Sequence, residues 1–155
     1  MAVAQNGINI FLPTVVGTAT TVVTIIIHAF ALRTVIQFVR HEKRHRGRVG
    51  VHFWMDVTIV AGATLLAFAA HLAEVALWAL VFILCGEFPD FAAAVYHSAE
   101  NYTTLGYGDV VMSASWRLLG PLEAGDGMLM FGVSTALIFA VIANLVEARR
   151  HVSGN

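Results

Sequence analysis

The sequence predicts an all-α membrane protein with three transmembrane helices and one short helix that enters the bilayer, between the second and third, without crossing it. Only 12% of the 155 residues are charged and 58% are hydrophobic, whereas about a quarter of a soluble domain is charged. Three apolar runs each exceed the roughly 20 residues that cross the hydrocarbon. Between the last two lies a segment too short to cross, followed by a glycine-rich run.

The first predicted helix covers about Leu12–Val39, with Pro13 in its first turn, where a missing N–H is harmless. No Asp, Glu, Lys or Arg precedes Arg33. The run lacks a basic start and outlasts the roughly 7–15 apolar residues of a signal-peptide core, so it is expected to be a retained span. The second helix covers about Trp54–Cys85 and the third about Trp116–Glu147, long enough for tilt or protruding ends. Phe88–Tyr102 is expected to be the re-entrant helix. Non-helical backbone after it is tolerated at membrane depth only where protein buries it or it lines a wet cavity. The expected organisation is a first helix with a basic connection over 1–50 and a two-helix module over 51–155.

Charge sets the expected sidedness. The connection Arg40–Gly50 holds Arg40, Lys43, Arg44, Arg46 and Arg48 against the single acid Glu42, and Arg149 and Arg150 follow the third helix. Both places are expected on the cytoplasmic side. Gly86–Asp126 holds six acids and one base, Arg117, and is expected outside. The N-terminus is then outside and the C-terminus cytoplasmic, in a multi-pass protein of the cell (inner) membrane. The 40–50 stretch is either a topology signal alone or a surface for anionic lipid headgroups. A net charge of −1 excludes a generally basic nucleic-acid binder, and the single Cys85 cannot form an internal disulfide.

The richest stretch is Thr103-Thr104-Leu105-Gly106-Tyr107-Gly108-Asp109. Two glycines two residues apart open backbone angles closed to other residues, so successive carbonyls can turn to one side. The Thr104 hydroxyl adds a further oxygen. Neutral oxygens are what a dehydrated monovalent cation needs in place of its water. The run resembles the selectivity filter of the potassium channels. The resemblance implies a potassium-selective, homotetrameric pore, because three helices of one chain cannot surround a channel. It implies K+ at Thr104, Leu105, Gly106 and Tyr107, with Gly108 ending the filter and Asp109 at its outer mouth. The family usually has Val or Ile where this chain has Leu105, which leaves a weakly selective monovalent cation channel as the alternative.

Other positions follow from the same resemblance. Glu100 precedes Asp109 by nine residues, the spacing of a carboxyl pair behind the filter of simple bacterial potassium channels. Such a pair would share a proton; the alternative is a Glu100 that only caps local hydrogen bonds. His97 is either a donor to Tyr107 or a packed residue of the helix face. Asp126 belongs either to an acidic ring in the cavity or, with Glu123, behind the filter against the short helix. Leu129, Gly132, Ala136 and Ala140 fall on the expected lining face, or serve as small residues for close packing. Gly125 and Gly127 are candidate bending points of the third helix.

Intramembrane ionisable groups are functional candidates by default. His28 lies in mid-span, and His71 and Glu74 share a face of the second helix. They form either a proton-sensing set or hydrogen bonds that fix helix register. Two histidines on separate spans also permit a haem-binding electron-transfer protein, which would leave the Thr103–Asp109 run without a purpose. No enzyme constellation is visible. The first helix has only Arg33 and Arg40, not the arginine array of a voltage sensor.

Overall fold

In this computed structural model, which describes residues 10–45 and 53–153, the described chain forms four α-helices and no strand. They are α1 Phe11–His45, α2 Phe53–Leu84, α3 Phe91–Tyr102 and α4 Leu119–Ser153. Three of them, α1, α2 and α4, are long and apolar enough to cross a membrane. The chain is a multi-pass membrane protein.

Helix ends differ from the sequence expectation for local reasons. α1 continues past Val39 to His45, because a helix satisfies its own backbone and its charged end tolerates water. α3 begins at Phe91 rather than Phe88. Pro89 keeps Phe88 out of helical angles, and Asp90, extended at φ −137 and ψ 156, accepts the Ala93 N–H at 2.9 Å as an N-cap. Glu87, just before this cap, accepts the Ser113 N–H at 2.6 Å and its hydroxyl at 2.7 Å. α4 begins at Leu119 rather than Trp116, after a turn closed by Arg117 N–H to Ser113 O at 3.0 Å and Leu119 N–H to Trp116 O at 2.9 Å.

The chain divides into two compact units. One holds the chain up to Thr24 together with Glu74–Met128, and so contains α3 and the glycine-rich run. In it Gly17 of α1 gives close approach to α4: a Cβ there would lie 2.5 Å from Leu122 Cδ1. The other holds Ile25–Ala73 and the chain from Leu129 onward. Its core is Met55, Ile59, Val141 and Leu145, with Val39 and Val60 packed against them. Asp56 there is paired with Arg149, Nε to Oδ2 at 2.7 Å, and the Arg149 guanidinium lies 6.0 Å from the Phe53 ring centre.

The most apolar window of α2 is 44% buried, against 22% for α1 and for α4. The latter two therefore leave apolar faces, with Phe30 and Phe139 among them, for lipid or for other copies of the chain. Arg46 and Arg48 of the proposed lipid-binding connection lie outside the described residues, as do the side chains of Lys43 and Arg44 and the first nine residues.

Candidate functional site

The glycine-rich run starts where α3 ends. The Thr104 N–H reaches Asn101 O at 2.8 Å and the Leu105 N–H reaches Glu100 O at 2.8 Å, so the last carbonyls of α3 set the first residues of the run. Every second residue then has positive φ: Thr104 at 60°, Gly106 at 54° and Gly108 at 73°. Leu105 and Tyr107 do not. In an extended strand of one handedness successive peptides face opposite sides. Inverting alternate residues turns alternate peptides over, which lets their carbonyls share a side. The glycines do this freely. Thr104 does not: a β-branched residue in the left-handed region costs roughly 1–2 kcal/mol, and surrounding structure must hold it there.

Glu100 is buried and accepts the Tyr107 N–H at 3.3 Å. Asp109 accepts the Tyr96 hydroxyl at 3.0 Å and the Val110 N–H at 3.1 Å. No hydrogen bond joins the two carboxyls among the described residues. The Tyr96 phenol serves them instead: its bond to Asp109, with Glu100 adding to the effect, pushes its pKa up to about 12. His97 likewise differs from the donor expected for Tyr107. Its ring is buried between Phe82 and Phe88, centroids 5.5 and 5.0 Å away, and its Nε2 lies 3.0 Å from Asn101 Nδ2. Burial lowers its pKa, so near neutral pH it is an uncharged acceptor for the Asn101 amide.

Behind the run lies a layer of buried acids, each met by a neutral partner. Tyr102, the last residue of α3, donates its hydroxyl to Glu74 of α2. Burial, and then that bond, push the phenol pKa up, so it stays a donor. Ser98 of α3 bonds both Val75 O, at 2.8 Å, and the Glu123 carboxyl. Ser98 has one proton and the Val75 carbonyl only accepts, so both bonds form when Glu123 supplies a proton of its own. Asp126 is 2% exposed and its Oδ2 accepts Thr24 Oγ1 at 2.8 Å and Trp78 Nε1 at 2.9 Å. Of the two expectations for Asp126, these bonds within its own chain fit the one away from the cavity, since an indole and a hydroxyl without water need an acceptor. Glu123 follows the same expectation, bonding the short helix, through Ser98.

Gly127, one of the two expected bending points, has a packing role as well. A Cβ there would lie 2.1 Å from the Tyr102 carbonyl oxygen, so its missing side chain admits the end of α3 against α4. Gly125 has nothing within 4 Å of its added Cβ. Leu129, Gly132, Ala136 and Ala140 are exposed along α4 in a single chain.

In the other unit His28 and His71 meet a residue that sequence reasoning missed. Ser134 Oγ lies 3.1 Å from Nε2 of each imidazole, and the rings stand 5.2 Å apart. One hydroxyl occupies the gap between the two Nε2 atoms, a place that axial haem ligation would need for iron. Ser134, Thr24, Trp78 and Tyr102 all escaped notice for one reason: each is a common membrane residue alone. The available signal was arithmetic, since buried acids and imidazoles in apolar spans require donors, and these are the donors.

Residues 70–144 match a family model described as "Ion channel". The match starts within α2, contains α3 and the glycine-rich run, and ends within α4. Among curated proteins nothing matches the chain significantly, and the same holds among solved structures.

Proposed function

From the match of residues 70–144 to a family model described as an ion channel, we propose that the chain is the subunit of a potassium-selective channel. Four copies close a ring and bring Thr104, Leu105, Gly106 and Tyr107 to one axis, Gly108 ends the filter, and Asp109 stands at the outer mouth. The observation that carries this reading is the alternation of positive φ at Thr104, Gly106 and Gly108 within the family match. Carbonyls that share a side, repeated around an axis, replace the water shell of a passing ion. Repulsion between K+ ions in neighbouring rings keeps exit fast.

Tyr107 and Leu105 are 70% and 55% exposed in a single chain. Such large apolar groups need cover, which neighbouring subunits supply in a closed ring. Leu129, Gly132, Ala136 and Ala140 then line the route below the filter. Glu100 holds the Tyr107 amide, and His97 packs the short helix from behind. By the positive-inside rule the basic connection and the C-terminal end face the cytoplasm and the filter mouth faces out, with anionic lipid at the 40–50 connection. His28, His71 and Ser134 set the register of three spans.

Reversal potentials of the purified, reconstituted protein under opposed K+ and Na+ gradients test the reading. A potential close to the K+ equilibrium value is expected. A value near zero identifies a weakly selective cation channel, for which Leu105 is the first residue to change, to Val.

A further inference from the structure

Ion conduction by itself gives no reason for Glu74, a fully buried carboxyl on a spanning helix. One of its partners is the hydroxyl of Tyr102, which ends α3 and precedes the strained Thr104 by two residues. Tyr102 is held at both ends. Its side chain is 1% exposed and bonded to α2, and its carbonyl lies against Gly127 of α4 with no room for a Cβ. Between Tyr102 and Thr104, the Thr103 hydroxyl binds Ala99 O at 2.6 Å, which ties that residue to α3 alone. Tyr102 thus attaches the last residue of α3 to both α2 and α4, beside the Ser98 bonds one turn earlier and Asn101 packed against Gly120.

A residue at an unfavourable φ keeps its conformation only when its neighbours over-determine it. We infer that Glu74 is a positioning residue for the filter: by holding the Tyr102 hydroxyl from α2 it fixes the end of α3 and so the backbone of Thr104. The inference rests on the filter reading above and extends it to a residue about thirty positions away in the sequence. Glu74 touches no ion. It acts through Tyr102, and what it controls is the shape of the innermost oxygen ring.

The test is the K+ over Na+ permeability ratio of assembled, reconstituted protein, read from reversal potentials in wild type, Tyr102→Phe and Glu74→Gln. Tyr102→Phe removes only the hydroxyl and lowers the ratio roughly five- to tenfold, the scale of one lost buried hydrogen bond. Glu74→Gln keeps an acceptor oxygen for the phenol and holds the ratio within about twofold of wild type. A Tyr102→Phe channel with the wild-type ratio overturns the inference while leaving the filter reading intact. A wild type without K+ preference removes the filter reading first, and the inference with it. If Tyr102→Phe does not assemble, the double variant Tyr102→Phe with Glu74→Leu, which leaves neither group buried without a partner, takes its place and must show the same fall. An assembled double variant with the wild-type ratio, or failure of both variants to assemble, assigns the pair to folding alone and rejects the positioning role.

Discussion

The half of the chain that carries residues 103–109 keeps the carboxyls of Glu74, Glu123 and Asp126 from water and meets them with Tyr102, Ser98, Thr24 and Trp78. The other half buries His28 and His71 on one serine hydroxyl and pairs its buried acid, Asp56, with Arg149. The difference follows from the backbone each half contains. In the second half the described chain is helix, and a helix satisfies its own N–H and C=O groups. Polar contacts there need only set register beside an apolar cluster of Met55, Ile59, Val141 and Leu145. In the first half a stretch of chain leaves the helix and cannot position itself. Side-chain bonds from three helices do so instead, and a buried polar network of that kind is intolerant of partial loss.

The largest contrast is expected at glycine. Gly127→Ala forces a Cβ onto the Tyr102 carbonyl oxygen, an overpacking of at least about 3 kcal/mol. Thermal melting in detergent should show lost assembly or a strongly lowered transition. Gly125→Ala, with open space around its Cβ, should melt within a few degrees of wild type or slightly higher, by helix propensity. Equal melting of the two would break the comparison.

Next in size is Asp126→Leu, which strands the Trp78 indole at about 1–3 kcal/mol for an unsatisfied buried group, while the Thr24 hydroxyl keeps the Thr21 carbonyl at 2.7 Å. Asp126→Asn keeps an acceptor and should lose less than half as much. Block by internal magnesium should be the same in Asp126→Asn and wild type, because the carboxyl is directed into its own chain. Weaker block in Asp126→Asn would return the residue to the cavity.

The smallest effect belongs to the other half. Ser134→Ala removes the hydroxyl shared by His28 and His71 and should cost about 1 kcal/mol at pH 8, the scale of interhelical hydrogen bonds in membranes. Its reversal potential should equal that of wild type. A changed K+ over Na+ ratio in this variant would show that the second half also shapes the filter.

Much of the fold was legible in advance because the relevant variable is one-dimensional. The lengths of the apolar runs at Leu12, Trp54 and Trp116 identify the spans without knowledge of neighbours, and Pro89 with Asp90 moves the start of α3 for reasons already present locally. The glycine-rich run was legible for the same reason, since alternate glycines report backbone angles directly. Thr104 was not, because nothing in its side chain announces a positive φ. Asp126 shows the other boundary. Its spacing from Glu123 placed both acids on one face of α4, but the rotation of that face is set by which neighbours offer donors.

By itself, then, the sequence determined how the chain divides between lipid and water, the number of spans, and the segment able to present bare carbonyls. Transfer free energy depends on composition over a window, and backbone freedom depends on the residue in place. Only the tertiary structure decided which buried acid meets which hydroxyl, that Asp126 turns inward to Trp78 and Thr24, and that Ser134 joins two histidines. Those pairings bring together side chains as many as 106 residues apart. Hydrogen bonds act over about 3 Å, a distance fixed only once all the helices are packed.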